Sequence, residues 1–106
     1  MSEHQKLPKH YRRLREDFPA YMEALDRLGE AVGQQGPLDA KTLQLLQLAG
    51  AVATRSEGAA HSHARRALEA GATPTEIRHA VIALTSTVGF PTIAAGLSWV
   101  EDILKD

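Results

Sequence analysis

The chain contains no cysteine. Disulfides, thiolate metal sites and any redox chemistry carried by its own thiols are therefore excluded. An excess of one charge is missing too: 12 Lys and Arg, interspersed with 13 Asp and Glu, leave a formal net charge of -1. Such a surface offers no field to hold a polyanion, so nucleic acid is not an expected partner. No apolar run approaches the roughly 20 residues of a membrane span, and the opening MSEHQKLPKH has no apolar leader-like core. The implied location is cytoplasmic, with no membrane partner. Aromatic residues are scarce, with one Trp, two Tyr and two Phe among 106 residues. A chain of this length suits one domain over 1–106, burying roughly two thirds of its unfolded surface. With few large side chains, its core must come from close approach of alanine-rich backbones, and such helices tend to complete their burial against another copy of themselves.

What is present is helical periodicity punctuated by Gly and Pro. The pattern predicts an all-α, compact bundle of five to six helices. PKHYRRLRED suits a short helix with Tyr11 and Leu14 on one side. From Pro19, Met22, Leu25, Leu28 and Val32 recur at spacings of three and four until GQQGP stops the helix. Asp39 is a good N-cap for a helix with two apolar stripes, Leu43, Leu46, Ala49 or Gly50 and Ala53 on one and Leu45, Leu48 and Val52 on the other. A helix apolar on two sides belongs at the centre of a fold. Ser56 suits the cap of the next helix, which closes at Gly71. Thr73, Pro74 and Glu76 form a capping box for a helix through Ile77, Val81 and Leu84 to Gly89. Pro91 opens the last, with Ile93, Leu97, Val100 and Leu104 as its buried stripe. Phe90 is expected in the core, and Trp99, off that stripe, at a subunit contact.

The stretch SEGAAHSHARRALEAG carries two histidines two residues apart. On a helix they point about 200° from each other and cannot chelate one metal. His63 shares the small apolar side with Ala59, Ala60, Ala67 and Ala70, so it is the inner one. His61 shares a mixed face with Glu57, Arg65 and Leu68, and a solvated i, i+4 pairing with Glu57 is expected. No carboxylate pair flanks His63 at helical spacing, so no metal site is expected. His4, His10 and His79 carry no specific pattern.

GPLDAKTLQLLQLAGAVAT, the His63 helix leading into ALEAGATPTEI, and GFPTIAAGLSWVEDIL, in that order, resemble the carboxymuconolactone decarboxylase family, which includes the alkylhydroperoxidase-D-like proteins. The resemblance runs from about Pro19 to the C-terminus, with 1–18 as an N-terminal extension or short helix and 19–106 as the family core. It implies a homotrimer or homohexamer with a pocket near subunit contacts. In the redox branch the histidine's helix opens with Cys-x-x-Cys, and a glutamate lies on the preceding helix. Those positions map here onto Ser56, Ala59 and Gln44, with His63 as the histidine. Serine, alanine and glutamine cannot perform that chemistry, so a thiol peroxidase or disulfide reductase is rejected.

The decarboxylase branch, whose members keep the histidine without the thiols, implies a small-molecule lyase acting on a carboxylated lactone or related acid. In that reading His63 is the catalytic acid/base, while Arg66, Ser56 and Gln44 are substrate-binding candidates and no cofactor is required. The competing assignments are a surface arginine for Arg66 and a helix cap for Ser56. The alternative function is a non-catalytic oligomer that binds a small ligand or partner after losing the redox site. A third is an accessory role in peroxide defence by family analogy.

Overall fold

The computed structural model describes residues 8–105, so His4 lies outside the described residues. Among them the backbone is helical with no strand, as the periodicity predicts. Two compact units divide the chain, Met1–Pro37 and Leu38–Asp106.

The first unit is a helical hairpin, α1 (Lys9–Asp17) and α2 (Pro19–Gln34). Pro19 stands in the first turn of α2 because a residue there needs no amide donor. Arg15 grips Asp26 across the hairpin with both terminal nitrogens, at 2.9 and 3.0 Å. Only Met22 of the predicted α2 stripe is buried. Phe18, Tyr21, Leu25, Leu28 and Val32 lie along α2 between 42% and 60% exposed. Leu25, Leu28 and Val32 of the expected stripe are thus exposed among the described residues, in line with Phe18 and Tyr21 rather than with the buried Met22.

The second unit contains α3 (Ala40–Ala53), α4 (Glu57–Glu69), α5 (Pro74–Ile82), the single turn α6 (Thr85–Val88) and α7 (Phe90–Leu104). Helix α3 packs against α4, α5 and α7 and is the central element. Its Leu45/Leu48/Val52 stripe provides the contact: Leu48 and Val52 are fully buried, and Leu45 packs on the core. The other stripe is a correction, since Leu46 is 57% exposed. Around α3 the core is completed by Ala60, Ala64 and Ala67 from α4, Ile77 and Val81 from α5, and Ile93, Val100 and Leu104 from α7. Small residues set the spacing. Gly96 of α7 is buried against Val52, and a methyl group at its Cα would stand 2.5 Å from Val52 Cγ1.

The caps follow the sequence in most places. Asp39 accepts the Thr42 amide at 2.8 Å. Thr73 and Glu76 form the reciprocal capping box, at 3.0 Å for the Glu76 amide and 2.9 Å for the Thr73 amide. That bond, and then Lys41 at 3.1 Å, hold the Glu76 carboxyl below its ordinary range and link α3 to α5. Gly71, at φ +98°, closes α4: its amide reaches the Leu68 carbonyl, and the Ala72 amide reaches that of Ala67. The same pair of bonds ends α3, with Arg55 in the left-handed position at φ 57°.

Three expectations need correction. Ser56 stands at the N-cap of α4, but its hydroxyl makes no capping bond. The helix expected to run unbroken from Thr73 to Gly89 is interrupted after Ile82. There the Leu84 amide bonds to the Val81 carbonyl, a tighter i−3 turn, and the Thr85 hydroxyl donates to the Ile82 carbonyl at 2.6 Å. Hydroxyl side chains compete for backbone partners in this way, and they make the one long helix into two. Phe90 is 66% exposed rather than in the core. It opens α7 directly after Gly89, whose φ of +91° turns the chain outward, ahead of the first buried residue, Ile93. Trp99, in contrast, packs against the edge of the core.

Candidate functional site

His63 sits at the end of the second turn of α4, partly buried where α4 packs on α3. Its Nδ1 is 2.9 Å from Gln44 Oε1 on α3. A carbonyl oxygen only accepts, so Nδ1 carries the proton and Nε2 presents its lone pair. Burial, and then the positive charge of Arg66 on the following turn, push the imidazole below its ordinary range. The ring is therefore neutral at rest.

This depression links folding to acidity. The unfolded chain takes up a proton at about pH 6.5, before the folded one does, so stability rises with pH across that interval. The contribution is fully present above about pH 6.5 and is lost as pH falls from there through the lower folded value. Denaturant midpoints measured from pH 7.5 to 5.5 are expected to drop on acidification in the parent and to drop less in His63→Gln. Parallel pH curves for the two proteins would disprove the linkage.

Of the four candidates read from the sequence, His63 and Gln44 meet in a direct hydrogen bond. Arg66 is exposed and acts on His63 through its charge. Ser56 lies two turns upstream of His63 on α4, at about the same angular position. Ala59, between them, has no functional atom.

His61 is not the solvated partner of Glu57 alone that the i, i+4 spacing suggests. Its Nε2 is 3.0 Å from Asp102 Oδ2 on α7 and 3.9 Å from Glu57 Oε2, and its side chain is 25% exposed. Sequence reading missed Asp102, because no local pattern places the last turn of α7 beside the first turn of α4. The sequence argument against a metal set considered one helix, whereas tertiary packing brings three ligand-type side chains together.

The order of helices, the histidine on α4 and its partner on α3 can be set beside known proteins. The model of the carboxymuconolactone decarboxylase family matches residues 19–102. The chain belongs to that family. This family member is 39% identical over 59 residues to an uncharacterized protein of Haemophilus influenzae, covering 56% of the chain and 52% of the relative. It thus spans about half the length of the curated relative it matches. A solved structure, the apo form of a carboxymuconolactone decarboxylase family protein from Legionella pneumophila, superposes with a TM-score of 0.79 at 24% identity. The match covers 91% of this chain and 86% of the other. At that identity the likeness is one of fold. Within the family, this chain is one with no thiol of its own.

Proposed function

We propose that the protein is a lyase of the carboxymuconolactone decarboxylase type, acting on a carboxylated lactone or related organic acid with His63 as acid/base. The observation that carries this reading is the Nδ1–H bond from His63 to Gln44, which orients the ring and leaves Nε2 to handle a proton. In the reaction the bond to the carboxylate carbon breaks, its electron pair moves into the ring as the double bond migrates, and a ring carbon takes up a proton. His63 takes a proton from solvent on Nε2 and passes it to that carbon, returning to the neutral ring. The same burial that keeps the ring neutral at rest makes its charged form a stronger acid. Arg66 provides a cation for carboxylate or enolate oxygen, and Ser56 a hydroxyl not engaged in capping. Residues 1–106 act as one domain in this reading, with 1–18 an extension to the core of 19–106.

The working form is a homotrimer or homohexamer. Its support is the five-residue apolar stripe from Phe18, the N-cap of α2, to Val32, whose alternating three and four spacing is that of a helix–helix seam.

Purified protein incubated with carboxymuconolactone is expected to release carbon dioxide, and His63→Ala to do so about 100-fold more slowly or worse. Equal rates, with the variant's helicity intact by circular dichroism, would remove His63 from the chemistry. A second reading, a non-catalytic ligand-binding oligomer, is favoured by one feature: Gln44 replaces a group able to exchange protons, and already satisfies His63. Saturable binding of the lactone without carbon dioxide release would select it.

A further inference from the structure

On the side of α4 turned away from His63, Glu57 and His61 stand one turn apart, and Asp102 reaches them from the last turn of α7. One ligand atom from each lies within 4.8 Å of the other two. The His61 Nε2 distances are 3.0 Å to Asp102 Oδ2 and 3.9 Å to Glu57 Oε2. Two donors bound to one first-row dication at about 2.0–2.1 Å stand roughly 2.9–3.4 Å apart. One edge of such a polyhedron is already at length. The others close by small rotations of Glu57 and Asp102, both exposed carboxylates with room to turn.

We propose that Glu57, His61 and Asp102 form a binding site for a first-row divalent cation, of which zinc is the representative, with water completing the coordination. A bare hydrogen bond to Asp102 explains the 3.0 Å contact. The i, i+4 spacing brings Glu57 to the same ring nitrogen, and Asp102 arriving from α7 turns that local pair into a three-donor set. One imidazole with two carboxylates suits zinc or a neighbouring transition metal, whereas calcium and magnesium favour all-oxygen sets. Two carboxylates balance the charge of a dication. The carbonyl end of α7 beside Asp102 and the amide end of α4 beside Glu57 act on a cation with opposite signs, so the side chains decide the site.

The frame for the site is rigid. Helices α4 and α7 pack together, and both feed the buried core, Ala60 and Ala64 from one and Val100 and Leu104 from the other, so the ligands hang from a closed core rather than from loops. A bound ion clips the start of α4 to the end of α7. The site lies about 200° around α4 from His63 and shares no residue with the His63–Gln44 pair, so it stands or falls independently of the lyase reading.

The test is titration of chelator-treated full-length protein with zinc chloride by isothermal calorimetry at neutral pH. One zinc per chain is expected. His61→Gln, Glu57→Gln and Asp102→Asn should each weaken binding by about 10-fold or more, while His63→Gln and His79→Gln leave it unchanged. Zinc should also raise the melting temperature of the parent and not that of His61→Gln. X-ray absorption of the zinc-loaded parent, which needs no variant, should read one imidazole among oxygen ligands. The proposal is overturned by absent one-to-one binding, by parent-like affinity in the three ligand variants, or by two or more imidazoles around the metal.

Discussion

Replacing Gly96 by alanine is expected to destabilise the fold by about 1–3 kcal/mol, although alanine is the better helix former by about 1 kcal/mol. The sign is decided by space. The added methyl would lie 2.5 Å from Val52 Cγ1, 2.9 Å from Cγ2 and 3.3 Å from Cβ. Val52 is branched at its first side-chain carbon, which holds it to one strongly preferred χ1 well on a helix, and it is fully buried on the central helix. Either α7 moves off α3 or Val52 leaves its well. Thermal unfolding should fall by roughly 5–20 °C for a domain of this size. Val52→Ala in the same chain removes both Cγ atoms and should recover part of the loss, so the pair is non-additive. A Gly96→Ala protein at least as stable as the parent would show that α3 and α7 are not in such close contact. The same substitution at Gly50, which has open space around it, serves as the comparison.

Leu28→Glu is expected to dissolve the proposed homo-oligomer while leaving each chain folded. Leu28 is 59% exposed in the single chain, so a charge there costs the monomer little. It is also the fourth of five apolar side chains in line, from Phe18 through Tyr21 and Leu25 to Val32. A patch of this kind is more than monomers normally leave open. Between copies, a glutamate in the middle of the seam would be desolvated without a partner, and repeated once per chain. Loss of a central apolar contact commonly costs about 2 kcal/mol or more, which is roughly a 30-fold weaker association. Sedimentation equilibrium should report three or six chains for the parent and a shift toward one for the variant, with unchanged helicity. A parent that sediments as a single chain would end the assembly reading, and a variant retaining the parent mass would move the contact off α2.

The helices were legible where local chemistry decides them. Asp39 and the Thr73–Glu76 box mark helix starts because a side-chain oxygen within three residues meets an otherwise unpaired amide, and that geometry is written in adjacent letters. The break after Ile82 was harder to foresee, since it depends on whether Thr85 spends its hydroxyl on a backbone carbonyl. Burial was legible only in part. Leu46 and Leu48 are equally apolar and two positions apart, but one is 57% exposed and the other fully buried, because only tertiary packing chooses between the two stripes of α3.

At the site, the inward direction of His63 followed from its alanine neighbours, and its pairing with Gln44 matches the position singled out by family resemblance. Asp102 was invisible for a different reason. It lies 41 positions from His61, and no periodicity spans that distance.

The two corners that bound α4 have a bearing on how such a chain can change. At each, the turn is closed by main-chain bonds, through the Arg55 and Ser56 amides at 2.9 and 2.8 Å and the Gly71 and Ala72 amides at 3.0 and 2.9 Å, and at the first the Thr54 hydroxyl adds bonds to the Gly50 and Ala51 carbonyls at 3.0 and 3.2 Å. The helix is therefore held along its axis at both ends without help from the side chains at 56 and 59. The side chains at those positions, a hydroxyl and a methyl, can therefore vary while the imidazole of His63 keeps its station against α3. In such a scaffold the atoms beside the histidine are separable from the backbone that holds it.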